Sequence, residues 1–327
     1  MTIRTRRGRL RRLVLVAFVT ASVAVPISGA ARPVDVPAPT PTVRGRLHAA
    51  TPHELAERYA GTRTDIEAAA GVADDRGDRR RADALRTLAS PTRQFLAFDG
   101  RDGGRSVEIV GDLARADRLA VLVPGAGTSV DSYRRLRAGA VALRRQLGDR
   151  AAVVAWLGYR TPVTASLAAA TAGRAEEAAP ALRSFTRELH RLKPAARTSL
   201  LCHSYGSVVC ARAASGLEAA DLVLYGSPGT GYEDVAALGT DATVWAGRSS
   251  DDWTGGIPHI RLWTPFGPIG FGTDPVSPEF GARFFATGDG DHSDYLRPGS
   301  PALRNMARIV TGERVCERPT GVPACAN

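Results

Sequence analysis

Residues 198–210, TSLLCHSYGSVVC, set the tightest limit on how this chain can fold. The front half, Ser199 to Cys202, is a short apolar run of the kind that makes a buried central strand. The back half, from Ser207 through Cys210 into Ala214, reads as a helix packed on that strand. Between them lie only His203, Ser204, Tyr205 and Gly206. A strand that turns at once into a helix must reverse sharply, and its apex residue is forced into a strained backbone. That strain lifts the Ser204 hydroxyl clear of the sheet, beside the free N–H groups of a helix N-terminus. The pattern is G-x-S-x-G with Gly206 in the second glycine position and Cys202 in the first, a place that needs a small side chain.

From Gln94 onward the chain alternates strand-like and helix-like segments. Strands are expected at residues 95–98, 106–110, 119–123, 152–156, 200–202, 221–225 and 243–247, and helices at 132–147, 165–192, 205–214 and 301–310. Such alternation argues for an α/β fold, a mostly parallel sheet covered by helices on both faces. Ligands of such sheets sit beyond the carboxyl ends of the strands. The residues that follow each strand are therefore the ones to inspect.

The N-terminal part reads differently. Six arginines, Arg4 to Arg12, precede an apolar run over residues 13–25, and Ser28-Gly29-Ala30 follows as a small-residue cleavage site. This is the layout of a secretory signal peptide over residues 1–30, and the run is too short to span a membrane comfortably. Cleavage near Ala30 into a secreted or envelope location is expected. The formal charge of +10 falls to +4 without those six arginines, so nucleic-acid binding is not implied. Residues 31–50 read as a Pro-rich flexible linker. Residues 51–92 read as a helical region that starts with Thr51 as N-cap, Pro52 in the first turn and Glu54 at the third position, and breaks near residues 71–77. The main domain is expected over 93–312 and a tail over 313–327. In an exported chain four cysteines suggest bridges. Cys316 and Cys325 are expected to pair across the tail, whereas Cys202 and Cys210 are read first as buried small hydrophobes, with a bridge across strand and helix as the alternative. No Cys/His cluster has metal-ligand spacing.

A serine nucleophile needs a base, an acid and oxyanion donors. The loop after the strand at 119–123 is Pro124-Gly125-Ala126-Gly127-Thr128; Ala126, or Gly127, can offer one backbone N–H and Tyr205 the other. Of six histidines, His48, His53 and His190 precede the serine, against the chain order Ser, acid, His. His203 adjoins the serine and reads as structural or pocket-lining, and His259 follows the acid candidates too soon. His292, on a loop before the last helix, is left as the base. The acid should follow a strand between Ser204 and His292. Asp251 and Asp252, after residues 243–247, are the best pair, with Glu233 and Asp234 as the fallback. The long Gly/Pro/aromatic segment between Asp252 and His292 carries Trp253, Trp263, Phe266, Phe271, Phe280, Phe284 and Phe285. A loop of this length is usually functional, and its aromatics are expected either to wall an apolar acyl pocket or simply to cover the sheet edge.

The ordered motifs FDGRDGGRSVEIVGDLARADRLAVLVPGAGTS, VAWLGYRTP, LLCHSYGSVV, LVLYGSPGTG and HSDYL…LRNMARIVTG, over residues 94–312, resemble a family of exported actinobacterial α/β-hydrolases long treated as a domain of unknown function. The resemblance implies an α/β-hydrolase fold, a Ser-Asp-His triad and no cofactor. It maps the nucleophile to Ser204 and the base to His292. It maps the acid to Asp252, because the post-strand Asp precedes a short run ending in Pro, here residues 253–258, with Asp251 as the one-residue alternative. The expectation is a secreted serine hydrolase that cleaves carboxylic esters, small or lipid-like, through an acyl-enzyme. Acyl transfer to an envelope alcohol and a non-catalytic envelope-binding module on the same scaffold are the alternatives. Neither a nucleic-acid partner nor a stable membrane span of the mature chain is expected.

Overall fold

Seven of the apolar runs line up side by side. The computed structural model describes residues 37–264 and 267–315. Its main sheet contains β1 (Gln94–Asp99), β2 (Arg105–Gly111), β3 (Arg118–Val123), β4 (Ala151–Leu157), β5 (Arg197–His203), β6 (Asp221–Tyr225), β7 (Thr243–Gly247) and β10 (Arg283–Phe284). The order is β1-β2-β4-β3-β5-β6-β7-β10. The β1–β2 and β2–β4 pairs are antiparallel, and every pair from β4 to β10 is parallel. β5, which delivers Ser204, is central between β3 and β6.

Strand residues alternate between two apolar layers, as a pleat of period two requires. Leu119, Val121 and Val123 join Leu200, Cys202, Leu222 and Leu224 on one face. Ala120, Leu122, Leu201 and Val223 join the other. Both faces are buried, which explains why the central strands read as continuous apolar runs. Helices α4 (Gly173–Leu192) and α5 (Tyr205–Ala213) cover the first face; α3 (Arg134–Leu147) and α6 (Pro301–Thr311) cover the second. α3 stops at Gly148 with φ 79° and α6 at the left-handed Gly312 with φ 78°, positive-φ positions that suit glycine.

The N-terminal helices α1 (Pro52–Asp75) and α2 (Arg79–Leu88) belong to the same apolar layers, through Ile66 and Leu85 packed with Phe95 and Phe98. The Thr51 hydroxyl accepts from the Glu54 N–H at 3.2 Å, as its N-cap role requires. The Glu54 carboxylate turns back farther than a capping box would, to the N–H groups of His48 and Ala49. The stretch before α1 is not the free linker expected. Arg44 pairs with Asp65 and Arg191 donates to the Leu47 carbonyl, while Leu47 is buried; these contacts tie residues 44–47 to α1 and α4.

Three features differ from the expected elements. The single helix expected over 165–192 is a one-turn 3-10 segment, Leu167–Ala170, followed by α4. A two-stranded ribbon, β8 (Leu262–Thr264) with β9 (Gly267–Ile269), stands apart from the main sheet. β10 returns the chain to the edge of β7 just before the His292 loop. Cys316 and Cys325, with the expected signal peptide, lie outside the described residues.

Candidate active site

The turn between β5 and α5 holds Ser204 at φ 53°, ψ −126°. A non-glycine residue there is strained by roughly 1–3 kcal/mol, so the surroundings must hold it. The Ser204 N–H donates to the Tyr225 carbonyl at 3.0 Å, the Ser207 N–H donates to the Ser204 carbonyl at 2.9 Å, and the Ser207 hydroxyl donates to the Cys202 carbonyl at 3.1 Å. Gly206 is needed for close approach: a Cβ there would sit 2.5 Å from the Val123 carbonyl oxygen and 2.8 Å from that of Pro124. A disulfide between Cys202 and Cys210 also clamps the turn, with Cα atoms 6.4 Å apart. The bridge is thus the alternative reading, and the first reading of two unlinked hydrophobes is corrected. Both do lie in apolar runs and both are fully buried, but the chain reversal brings strand and helix back within bridging distance.

At the end of β7 the chain places Asp252 opposite His292. The imidazole Nδ1 lies 2.9 Å from each carboxylate oxygen of Asp252. The same carboxylate accepts from the Thr254 N–H and hydroxyl, each at 2.8 Å, and from the Tyr295 hydroxyl. Burial alone would raise this carboxyl's pKa. The donors from His292, Tyr295 and Thr254 outweigh it and hold Asp252 well below the usual carboxylate range. Asp251 is exposed and accepts only from the Ser250 hydroxyl at 3.3 Å. Glu233 is exposed, and Asp234 caps Ala237. The geometry therefore separates the neighbouring aspartates.

With Nδ1 turned to Asp252, the other ring nitrogen of His292 points away from that carboxylate. No hydrogen bond links it to the Ser204 hydroxyl in this structure. The two are neighbours through shared contacts. The His203 ring lies 4.6 Å from that of His292, and its Nε2 is 2.8 Å from the His292 carbonyl oxygen. A Cβ on Gly226, one residue past the carbonyl that holds Ser204, would meet Asp252 at 2.8 Å and His292 at 3.2 Å. His203 thus holds the His292 backbone through its Nε2. Enclosure, then the adjacent His292, pushes its pKa down to about 3, so the ring is neutral and Nε2 donates.

The loop after β3 runs beside the serine: a Cβ on Gly125 would come within 2.7 Å of the Ser204 Cβ. Tyr159 braces this loop by donating to the Pro124 carbonyl at 2.7 Å. The Gly127 N–H is already spent on the Pro162 carbonyl at 2.9 Å. That leaves the Ala126 N–H as the donor this loop can offer, while Tyr205 opens α5 on the far side of Ser204. The Tyr205 hydroxyl donates to the Thr171 carbonyl at 2.8 Å, which fixes the side chain.

Sequence reading missed Tyr295 and Thr254. Tyr295 is buried, accepts from the Ser249 N–H at 3.1 Å and donates to Asp252. Its one trace in the sequence is its position three residues after the base. The expected aromatic wall is largely absent. Phe271, Phe280 and Phe285 are buried in the packing, while Trp253 and Trp263 are exposed. Trp253 does border the site, 4.8 Å from the His292 ring. Phe266 lies outside the described residues. Among the described residues no group of three His, Cys, Asp or Glu side chains could hold a metal ion, and no helix is long and apolar enough to cross a membrane.

The sheet order and the strand-to-helix serine turn define an α/β-hydrolase fold. The chain belongs to the alpha/beta hydrolase family that matches it over residues 99–262. An uncharacterised protein of Mycobacterium tuberculosis is 32% identical over 251 residues, covering 66% of this chain and 38% of its own length. An uncharacterised protein of Mycobacterium bovis is 33% identical over 172 residues, covering 48% of this chain and 61% of its own. The chain thus spans under two thirds of either relative. Among solved structures, a lidless α/β serine hydrolase from Xanthomonas campestris aligns at TM-score 0.42 with 17% identity, over 68% of this chain and 95% of that one. The esterase PE8 aligns at TM-score 0.43 with 15% identity, over 64% of this chain and 99% of that one.

Proposed function

We propose that the protein is an exported serine hydrolase that cleaves carboxylic esters. Ser204 is the nucleophile, His292 the general base, Asp252 the acid that orients it, and the backbone N–H groups of Ala126 and Tyr205 form the oxyanion hole. The observation that carries this is the Asp252–His292 pair, beside a serine held at positive φ at a helix N-terminus. His292 takes the hydroxyl proton as Ser204 attacks the ester carbonyl. The tetrahedral oxyanion is met by two preorganised donors, and the protonated imidazole then gives its proton to the leaving alcohol. Water repeats the sequence on the acyl-enzyme and releases the acid. Asp252, already saturated with donors, stays ionised and fixes the tautomer with the proton on Nδ1. Export agrees with the arginine-rich start and with the Cys202–Cys210 bridge, which persists in an oxidising compartment.

The test is labelling with a fluorophosphonate, whose adduct mimics the tetrahedral intermediate. The wild-type chain labels and cleaves short aryl esters; Ser204→Ala does neither, and His292→Ala labels at least a hundredfold more slowly. A folded wild-type protein that neither labels nor cleaves any ester overturns the reading.

A further inference from the structure

Tyr295 follows His292 by three residues on the same loop, and its ring is buried. The ring meets Tyr225 edge-on at 5.2 Å and His203 at 5.9 Å. The loop backbone is held without the hydroxyl: the Ser300 hydroxyl donates to the Tyr295 carbonyl at 2.8 Å, and the Asp294 N–H donates to the Asp291 carbonyl at 3.0 Å. A phenylalanine would keep the ring packing and both of those bonds. What the Tyr295 oxygen adds is two bonds of its own. It accepts from the Ser249 N–H at 3.1 Å and donates to Asp252 Oδ2. A buried phenol hydroxyl needs a partner, and the acceptor it finds here is the acid that faces His292.

Asp252 therefore divides its charge. Oδ1 takes the Thr254 N–H and hydroxyl, Oδ2 takes Tyr295, and the His292 Nδ1 stands 2.9 Å from both oxygens. Neutral donors favour the charged carboxylate and leave it less to give to any further partner. Each one weakens the hold of Asp252 on an imidazolium. The other groups around the pair do not supply that effect. His203 on β5 is neutral, and burial keeps the Tyr225 hydroxyl on β6 protonated. Arg135 on α3 reaches the Ser293 hydroxyl at 3.0 Å. Asp251 accepts from the Ser250 hydroxyl and Asp291 from the Ser293 N–H; both are exposed, as is Asp289, and Asp294 faces Arg297 at 3.5 Å. Water screens those exposed charges, whereas the Tyr295 hydroxyl acts on Asp252 from inside the fold.

The two halves of acylation ask opposite things of His292. Attack by Ser204 needs an imidazole that takes the hydroxyl proton. Collapse of the tetrahedral intermediate needs an imidazolium that gives it up: the C–O bond breaks, its electron pair goes to the alcohol oxygen, and that oxygen takes the proton. An aryl alcohol leaves with little help from the proton, whereas an alkyl alcohol depends on it.

We propose that Tyr295 is a positioning residue that draws charge from Asp252, so that His292 returns its proton readily and the site is matched to esters of alkyl alcohols. This rests on the ester-hydrolase reading for its substrate, but the effect on the His292 ring can be read without turnover. The test compares the wild-type chain with Tyr295→Phe and with Thr254→Val, each of which removes one hydroxyl donor to Asp252 and keeps the side-chain shape. The first readout is the pH midpoint of the His292 ring, followed by NMR of a chain labelled with nitrogen-15 in its imidazoles. It should rise by at least about 0.3 pH unit in each variant. The second is kcat/KM, which reports acylation, on a p-nitrophenyl and a butyl ester of the same acyl group. The butyl-to-aryl ratio should fall at least fivefold in each variant, and the acid limb of both profiles should move with the ring midpoint. A role in packing alone would lower both esters alike and leave the midpoint in place. Urea unfolding shows which variants are folded, and should Tyr295→Phe not fold, Thr254→Val decides. A midpoint that does not rise, or a ratio that falls less than fivefold, overturns the inference. A wild-type chain that cleaves neither ester, while the midpoint rises in the variants, defeats the hydrolase reading alone; one that cleaves both esters with an unmoved midpoint defeats the Tyr295 inference alone.

Discussion

Opening the Cys202–Cys210 bridge measures how much of the serine turn's geometry depends on a covalent clamp. The bridge closes a loop with a sequence separation of 8. In the chain-entropy account a loop of that size stabilises by about 2.5 kcal/mol at 25 °C, through the freedom it removes from the unfolded chain. Both sulfurs are fully buried, so reductant should reach them only when the region opens. The assay is urea unfolding of a Cys316→Ser/Cys325→Ser chain, oxidised and reduced, so that the readout belongs to the turn alone. The oxidised form should exceed the reduced one by about 2.5 kcal/mol at an equal slope. Alkylation should find both thiols blocked after native incubation with reductant and free after unfolding. Cys202→Ala/Cys210→Ala should lose more than reduction does, because it also leaves space where two sulfurs packed. Equal midpoints for oxidised and reduced protein, or rapid native reduction, would refute the reasoning.

Asp252→Asn should lower kcat about 10³–10⁴-fold by losing the imidazole tautomer, while Asp251→Asn should stay within threefold in the same ester assay; the reverse order would move the acid by one residue. Gly206→Ala should cost at least about 2 kcal/mol in urea unfolding, because both carbonyls it would strike are backbone and cannot swing away. His203 titrates lower in the folded chain than its ordinary 6.5, at about 3, so in between the unfolded chain binds a proton that the native ring refuses. Stability from this residue is therefore present above about pH 6.5 and falls on acidification, by at most about 1.4 kcal/mol per pH unit; His203→Gln should flatten the urea midpoint between pH 6.5 and 4.5, and an unchanged slope refutes it. Asp252, whose folded pKa is depressed, adds stability that is present above about pH 4 and lost below it.

Much of the sheet was legible because a strand buried on both faces must be apolar throughout, and residues 119–123 and 221–225 are. Ser204 was legible because only an abrupt reversal fits between two such elements. His292 could be reached by elimination, since chain order removes the three early histidines. Asp251 and Asp252 could not be told apart from the residues alone: both follow β7, and only the direction each side chain takes from the turn decides which meets His292. Tyr295 was hidden because its partner, Asp252, is 43 positions away and no local pattern encodes the contact. The Cys202–Cys210 bridge was hidden for a different reason. Each cysteine is explained well enough by its apolar run, so nothing local demands a partner. β10 has two residues, too few to leave a pattern.

β10 also gives the region over the mouth a particular freedom. The chain leaves β7 through Asp252, makes the whole excursion that bears the ribbon, and comes back to β7 itself, with Arg283 beside Trp245 and the Phe285 N–H on the Ala246 carbonyl at 3.1 Å. Departure and return share one anchor. The length and composition of residues 257–282 therefore do not set the distance from Asp252 to His292; the pairing of β10 with β7 does. An insertion or a transplanted turn confined to the ribbon leaves the Asp252–His292 pair where it was, as long as Phe271 and Phe280 keep their buried places below it. The fold thus separates what fixes the Asp252–His292 pair from what lies over it, and a lineage of such chains can change one while keeping the other.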